Sequence, residues 1–246
     1  MLGLITLDFG NTNPHAGIFQ KNQDMWQLIK VVPLNELSIY LDQLGMNAHN
    51  TSVVLSEVKS RPEEIASLQE KGFLITYLKD YWRGKKFAGM TVNYSETLGE
   101  DRLIEAYYIY KKVKEPSLLI DAGTFVTMDV VTPEGFLGGY IIPGVSAYLS
   151  AYEKGEQLKD LTLEMNLSQK LPGETASAIT DSYSAFALLA KKLIIDHKIT
   201  KIILTGGSEA LWEGLFQETP EVTLERKPEL IHSALHLWFT TQIEPL

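Results

Sequence analysis

The chain has 246 residues, 45% hydrophobic and 22% charged, with a formal net charge of −9, which suits a soluble globular protein of one large domain or two of ordinary size. The acidic balance argues against a general nucleic-acid binder, but not against a phosphate ligand, whose sites use local amides and cations. The absence of cysteine excludes disulfides, thiolate metal sites and a cysteine nucleophile.

The pattern then alternates strand and helix. Residues 2–8 and 15–20 read as strands joined by the turn GNTNP, and QLIKVV is a third apolar run. Residues 34–45 suit a short helix, SVVLSEV a strand, 62–71 a helix opened by Pro62, and FLITYL another strand. From Leu98 to about Lys112, Leu103, Ala106, Tyr107 and Tyr110 share one helical stripe. SLLIDAG reads as a buried strand, and VTMDVV and FLGGYII as a hairpin around TPEG. Pro143 to about Tyr152 suits a helix, Gly155–Pro172 a long loop, and Ala176–Ile195 a long helix. KIILTGG reads as a strand, followed by helices from about Ser208 and Pro228. The best boundary lies near Lys114-Glu115-Pro116, so two domains are expected over 1–115 and 116–246. The first residues carry no basic n-region and meet Asp8 early, unlike a signal peptide, and no run approaches the roughly 20 apolar residues of a membrane helix. A cytosolic protein without a membrane or nucleic-acid partner is expected.

Two apolar strands end alike. LITLDFGNT runs into Asp8-x-Gly10-x-Thr12, and SLLIDAGTF runs into Asp121-x-Gly123-Thr124, 113 positions later. Either stretch alone would pass for an ordinary hairpin turn. Together, in matching strand context and near half-chain spacing, they suggest two related halves, each offering a turn to a phosphate. Glycine lets the backbone approach an anion with no Cβ in the way, and Thr and Asn add donors. A carboxylate repels phosphate, so each Asp is suited to a cation or its water.

The substrate side is read in Tyr94-Ser95-Glu96-Thr97-Leu98-Gly99-Glu100-Asp101-Arg102. Acids at a helix start are ordinarily a dipole effect. A kinase, however, needs a base for a hydroxyl proton, which Asp101 offers, and a cation for an acidic substrate, which Arg102 offers.

In this order and spacing, DFGNTN, Tyr94 before GEDR, DAGT and GGYIIPG resemble the type III pantothenate kinases, of the superfamily of sugar kinases, actin and the heat-shock chaperone ATPases. The resemblance runs from Leu4 to Gly207. It implies an α/β fold of two similar actin-like (ribonuclease H-like) domains, each a mixed sheet flanked by helices. It also implies ATP-dependent phosphorylation of pantothenate, the first step of coenzyme A biosynthesis. Asp8, Phe9, Gly10, Asn11, Thr12 and Asn13 would form the first ATP loop, with Asp8 near magnesium, through water. Gly123 and Thr124 would belong to the second loop, and Gly206 and Gly207 to the adenosine motif. Asp121 is similar to the family's ligand for a monovalent cation, potassium or ammonium. Asp101 would be the catalytic base. Arg102 would hold the pantothenate carboxylate, with Tyr94, Gly99, Glu100 and Thr175 in the same pocket. Family members are homodimers.

Some residues depart from the family pattern. Ser95-Glu96 stand where an Asn-Pro pair is usual, and Pro14 stands where the first hairpin usually continues as regular strand. The helix after Thr175 lacks the usual glycines, with Ser182 and Ala185 or Ala187 as small substitutes. A ligand-binding accessory protein without turnover is therefore an alternative, as is a kinase of another small hydroxy acid or a phosphatase. His232 and His236 are four apart. Without HExxH or a third ligand, they read as structural or solvent-facing rather than as a zinc site. Arg83-Gly84-Lys85-Lys86 reads as a solvated loop.

Overall fold

A computed structural model describes residues 2–23, 25–153, 155, 171–216 and 222–243. The chain divides into two compact units, Met1–Tyr108 with Glu229–Leu246, and Ile109–Pro228. The first break falls ahead of the expected one near Lys114. The C-terminal helix groups with the first unit instead of the second, because its buried face is matched to side chains of that unit.

In chain order the first unit holds β1 (Leu2–Phe9), β2 (His15–Asn22), β3 (Met25–Pro33), α1 (Leu37–Leu44), β4 (Thr51–Glu57), α2 (Pro62–Glu70), β5 (Ile75–Tyr77), β6 (Lys86–Phe87), β7 (Met90–Val92) and α3 (Glu100–Tyr108). The second holds β8 (Ser117–Ala122), β9 (Phe125–Thr132), β10 (Gly135–Pro143), α4 (Val145–Ser150), α5 (Thr175–His197), β11 (Lys201–Thr205), α6 (Glu209–Glu213) and β12 (Thr223–Arg226). α7 (Leu230–Gln242) closes the chain, in the first unit.

Among the described residues, five of the seven strands of the first unit lie in the order β3-β2-β1-β4-β5, and the five strands of the second in the order β10-β9-β8-β11-β12. β1 and β8 thus hold equivalent central places. In each unit the first three strands are antiparallel, and the fourth and fifth run parallel to the first. Asp8 and Asp121 are each the penultimate residue of that central strand. The repeat read from two short turns extends to a shared order of five strands.

Local chemistry accounts for the main elements. Leu4, Ile5 and Leu7 on β1, and Leu118, Leu119 and Ile120 on β8, are wholly buried, so both central strands are dominated by apolar side chains. α1 ends at Gly45 in the left-handed conformation (φ 64°), which glycine adopts without a Cβ penalty. Pro62 opens α2 with Glu63 and Glu64 in its first turn, where the dipole favours acids. In the first unit Ile5, Leu7, Phe9, Ile18, Val53 and Leu55 pack with Leu37, Leu41 and Leu68 of the helices. In the second, Leu118, Ile120, Met128 and Leu204 pack with Tyr183, Ala187, Ala190 and Trp212.

The sequence reading missed three short strands. β6 and β7 form a hairpin pairing Phe87 with Met90 around Ala88 and Gly89, both at positive φ, as a two-residue turn requires. β12 is a four-residue edge strand paired with β11 alone, too short and charged to show a strand pattern. The α3 stripe continues beyond Tyr108 as a π-helical turn, Ile109–Val113. FLITYL shrinks to the three residues of β5. The expected 155–172 loop lies almost wholly outside the described residues.

The departures are accommodated. Pro14 precedes the β1–β2 ladder, which begins with Asp8 opposite His15, so its missing N–H removes no ladder bond. Its carbonyl accepts the N–H of Leu34 at 3.1 Å. In the glycine-poor α5, Ser184, Ala187 and Ala190 are the buried small residues, while Ala185 is exposed. Ser182 hydrogen-bonds the Tyr148 hydroxyl instead.

Candidate active site

In the first unit, Asp8 leaves the end of β1 with a largely buried side chain. Gly10 is two residues on, where a Cβ would stand 3.5 Å from Asp8 Oδ2. Asn11, Thr12 and Asn13 are exposed along the turn. The turn is anchored from β4: the carbonyl of Phe9 accepts the N–H groups of Val58 at 3.1 Å and Lys59 at 3.0 Å. The carbonyl of Thr12 accepts from Arg61 Nη2 at 3.4 Å.

The start of α3 brings together the other predicted residues of this unit. Asp101 Oδ1 accepts the N–H of Arg102 at 2.7 Å. A Cβ on Gly99 would overlap that same oxygen, so glycine gives the carboxylate its space. Burial pushes the Asp101 carboxyl above its ordinary value, outweighing the Arg102 N–H and charge. Arg102 is only 5% exposed. Its guanidinium lies 5.0 Å from the centre of the Tyr94 ring, and Nη1 donates to the Tyr94 hydroxyl at 3.5 Å. A buried cation stacked on an aromatic face is held rigidly and suits an anion.

The Glu100 carboxylate meets the end of β4. Its Oε2 accepts the backbone N–H of Glu57 at 3.1 Å. Burial pushes its carboxyl up to about 7, against that N–H and the Lys79 charge, with Glu57 and Asp101 adding to the rise. Lys79 Nζ pairs with Glu57 Oε2 at 2.8 Å. That bond is the main cause of the Lys79 pKa lying above its ordinary value. Glu57 is also the register partner of Phe9. The end of β4 therefore touches both the first turn and the start of α3.

In the second unit, Asp121 pairs with Thr205 at the ends of β8 and β11, beside the glycine pair. Gly206 has φ +87°, and a Cβ there would overlap Asp121 Oδ1 and come within 2.8 Å of the Ala122 backbone. Around Gly207 there is open space, and the Ser208 N–H donates to the Ala122 carbonyl at 2.9 Å. Gly123 donates to the Phe125 carbonyl at 3.1 Å, and the Thr124 carbonyl accepts the Gly144 N–H at 3.0 Å. Asp121, Gly123, Thr124, Gly206 and Gly207 thus belong to one neighbourhood. Thr175, exposed, is the first residue of α5.

The donor chemistry suits cations at both aspartates. Asp8 offers a carboxylate beside a glycine-bearing turn, the single protein ligand that a phosphate-bound magnesium ion commonly takes. At Asp121, the missing Cβ of Gly206 lets the carboxylate stand where a side chain would collide with it.

Sequence reasoning missed Glu57, Arg61, Lys79 and His15, and it set His232 aside. His15 Nε2 lies 3.4 Å from Asp8 Oδ2, and His15 Nδ1 lies 2.8 Å from His232 Nε2. Only Arg61 and His15 carried a local signal, being next to elements already singled out. His232 and His236 diverge: His232 is 1% exposed, whereas His236 stacks on Phe19 at 4.6 Å between ring centres. No helix among the described residues is long and apolar enough to cross a membrane.

A family model described as type III pantothenate kinase matches residues 4–194. A relative from Idiomarina loihiensis named type III pantothenate kinase is 28% identical over 241 residues, covering 87% of this chain and 92% of the relative. One of the same name from Desulfosudis oleivorans is 27% identical over 248 residues, covering 90% and 96%. Among solved structures, a Campylobacter jejuni protein proposed to be a Baf family transcriptional activator superposes with TM-score 0.62 at 19% identity, covering 98% of this chain and 99% of that one. A Listeria monocytogenes protein proposed to be an N-acetylmannosamine kinase superposes with TM-score 0.53 at 12% identity, covering 99% and 100%. These structural likenesses speak to fold alone.

Proposed function

The chain belongs to the type III pantothenate kinase family, and on that premise we propose how its own residues carry out the ATP-dependent phosphorylation of pantothenate. The observation that carries the assignment is the Asp101–Arg102 pair at the start of α3. Pantothenate offers one primary hydroxyl and one carboxylate. Asp101 is the base that takes the hydroxyl proton as the phosphoryl group transfers, and Arg102, flanked by Tyr94, grips the carboxylate. A carboxylate of ordinary pKa, near ~4, is a weak base. Burial raises that of Asp101, which brings it nearer its task.

Gly99 leaves room for the base, and Thr175 is a further pantothenate contact in this reading. Glu100 positions the helix start rather than touching substrate. Gly10, Asn11, Thr12 and Asn13 receive phosphate oxygens in the first turn, Gly123 and Thr124 in the second, and Gly206 and Gly207 belong to the adenosine motif. Asp8 would hold magnesium, which supplies neutralisation of phosphate charge when bound. Asp121 would hold a monovalent cation, potassium or ammonium. A cytoplasmic homodimer completes the reading, in line with the family resemblance.

The test is ADP release with ATP and magnesium, with and without pantothenate, in potassium and in sodium. Pantothenate-dependent ADP is expected, lower in sodium, and lost by a factor on the order of 10²–10⁴ in Asp101→Asn. A correctly folded protein that releases no pantothenate-dependent ADP overturns the reading.

A further inference from the structure

A chain of polar contacts runs from Asp8 into the interior of the first unit. Asp8 Oδ2 faces His15 Nε2 at 3.4 Å, His15 Nδ1 lies 2.8 Å from His232 Nε2, and His232 Nδ1 lies 2.7 Å from Thr6 Oγ1. β1, β2 and α7 all contribute. Thr6 and His232 are buried, and the two imidazoles meet edge to face with centres 4.8 Å apart.

The sheet is shaped around this chain. Gly17 is the register partner of Thr6, and a Cβ there would stand 2.6 Å from Thr6 Oγ1 and 2.8 Å from the His232 ring. Glycine weakens a strand interior unless something must approach closely. Here the imidazole approaches.

The contacts have a direction. A carboxylate only accepts, so Asp8 calls for a proton on His15 Nε2. A neutral His15 then accepts at Nδ1. That makes His232 the donor from Nε2 and leaves its Nδ1 to accept from the Thr6 hydroxyl. Each ring uses its one donor and one acceptor. The reverse direction would set a lone pair of His15 against the carboxylate. The other contact of the Thr6 hydroxyl, to the Gly17 carbonyl, is longer at 3.3 Å. Burial lowers the pKa of His232 to about 3, in keeping with a neutral ring.

We propose that His15 is a positioning residue for Asp8: it donates Nε2–H to the carboxylate, is held in that tautomer by His232 and Thr6, and so fixes the rotation of the side chain that would hold the divalent cation. Its bearing on catalysis rests on the kinase reading above, whereas the hydrogen-bond chain itself does not. An outer partner that orients a ligating carboxylate commonly matters by about 10–100-fold in metal affinity or activity.

Long-range ¹H–¹⁵N correlation of the histidine rings in the full chain, without nucleotide, reads the protonated nitrogens directly. Protons on Nε2 of His15 and of His232 are expected. A bare His15 Nε2 overturns the proposal whether or not the protein is a kinase. Kinetics supply the second arm. His15→Leu is expected to raise the KM for magnesium-ATP by about 10–100-fold while leaving the KM for pantothenate near that of the parent. His15→Gln, whose amide nitrogen falls at the Nε2 position, is expected to recover most of that loss, and His15→Asn, whose amide falls at Nδ1, is not. Equal rises in both KM values, or equal behaviour of Gln and Asn, overturn the positioning role. Should His15→Leu fail to fold, the Gln and Asn comparison and the ring spectra carry the test.

Discussion

The backbone N–H of Glu57 donates to Oε2 of Glu100 at 3.1 Å, joining the last residue of β4 to the first residue of α3. Glu57 is also the register partner of Phe9, and the next two residues donate to the Phe9 carbonyl. One strand end thus carries both the turn after Asp8 and the helix that begins Glu100-Asp101-Arg102. Glu100→Ala is expected to remove about 1–2 kcal/mol of stability, as the loss of a hydrogen bond to a partly buried acid should. It is also expected to lower kcat more than Glu100→Gln does. Denaturant unfolding and steady-state kinetics of the two variants check both statements.

The same carboxyl sets a pH dependence. Glu100 rises from 4.5 to about 7 in the folded protein, chiefly through burial. The folded state therefore binds this proton more tightly than the unfolded chain does. That contribution is fully present below the unfolded value and is lost as pH rises through the folded one. Between 4.5 and about 7 the thermal midpoint is expected to fall with rising pH on this account, and Glu100→Gln should flatten the fall. Melting curves of both proteins across this window decide the matter; equal slopes would remove Glu100 as the cause.

Arg102 is buried and stacked on Tyr94. Lysine keeps the charge but loses the planar, two-pronged contact and much of the stacking. Arg102→Lys is expected to raise the KM for pantothenate by about 10–100-fold, corresponding to a hydrogen bond to a charged group. The KM for ATP should stay near that of the parent. A matched rise in both would place Arg102 outside the substrate pocket.

Gly206 stands at φ +87°, with Asp121 and the Ala122 backbone in the space of its absent Cβ. Gly206→Ala is expected to cost about 1–3 kcal/mol through strain and displacement. On the proposed role of Asp121, it should also weaken any activation by potassium more than it alters the KM for pantothenate. Chemical denaturation and a potassium titration of the variant test this.

Gly17→Ala would drive a methyl group into Thr6 and His232. A loss of about 1–3 kcal/mol is expected from overpacking, with the imidazole resonance of His232 shifted. A variant as stable as the parent, with unchanged histidine spectra, would show that the strand yields easily at this point.

Much of this was legible locally. Asp8-x-Gly10 and Asp121-x-Gly123 marked the two turns because each apolar strand and its exit are contiguous in sequence, and the sheets that carry them share one strand order. Asp101 and Arg102 were legible as a pair because an acid and a cation at a helix start are neighbours in the chain. The bond from Glu57 to Glu100 spans 43 residues and that from Thr6 to His232 spans 226, so no local pattern announces either. The hydrogen bond of Glu100 to the end of β4 carries no mark in the residues beside it in the chain. His232 looked like half of a spaced histidine pair, when burial gives His232 and His236 separate surroundings.

The sequence by itself determined the alternation of strands and helices, the duplicated Asp-x-Gly turns, the acid and the arginine that open α3, and the family. Each depends on residue order and short-range periodicity, which a chain carries without folding. Only the tertiary structure decided which unit the last helix joins, where the Glu100 carboxylate points, and that His15, His232 and Thr6 stand in line behind Asp8. Those relations come from packing and burial. A carboxyl is raised, an imidazole held neutral and a glycine required only when distant segments close around them and exclude water.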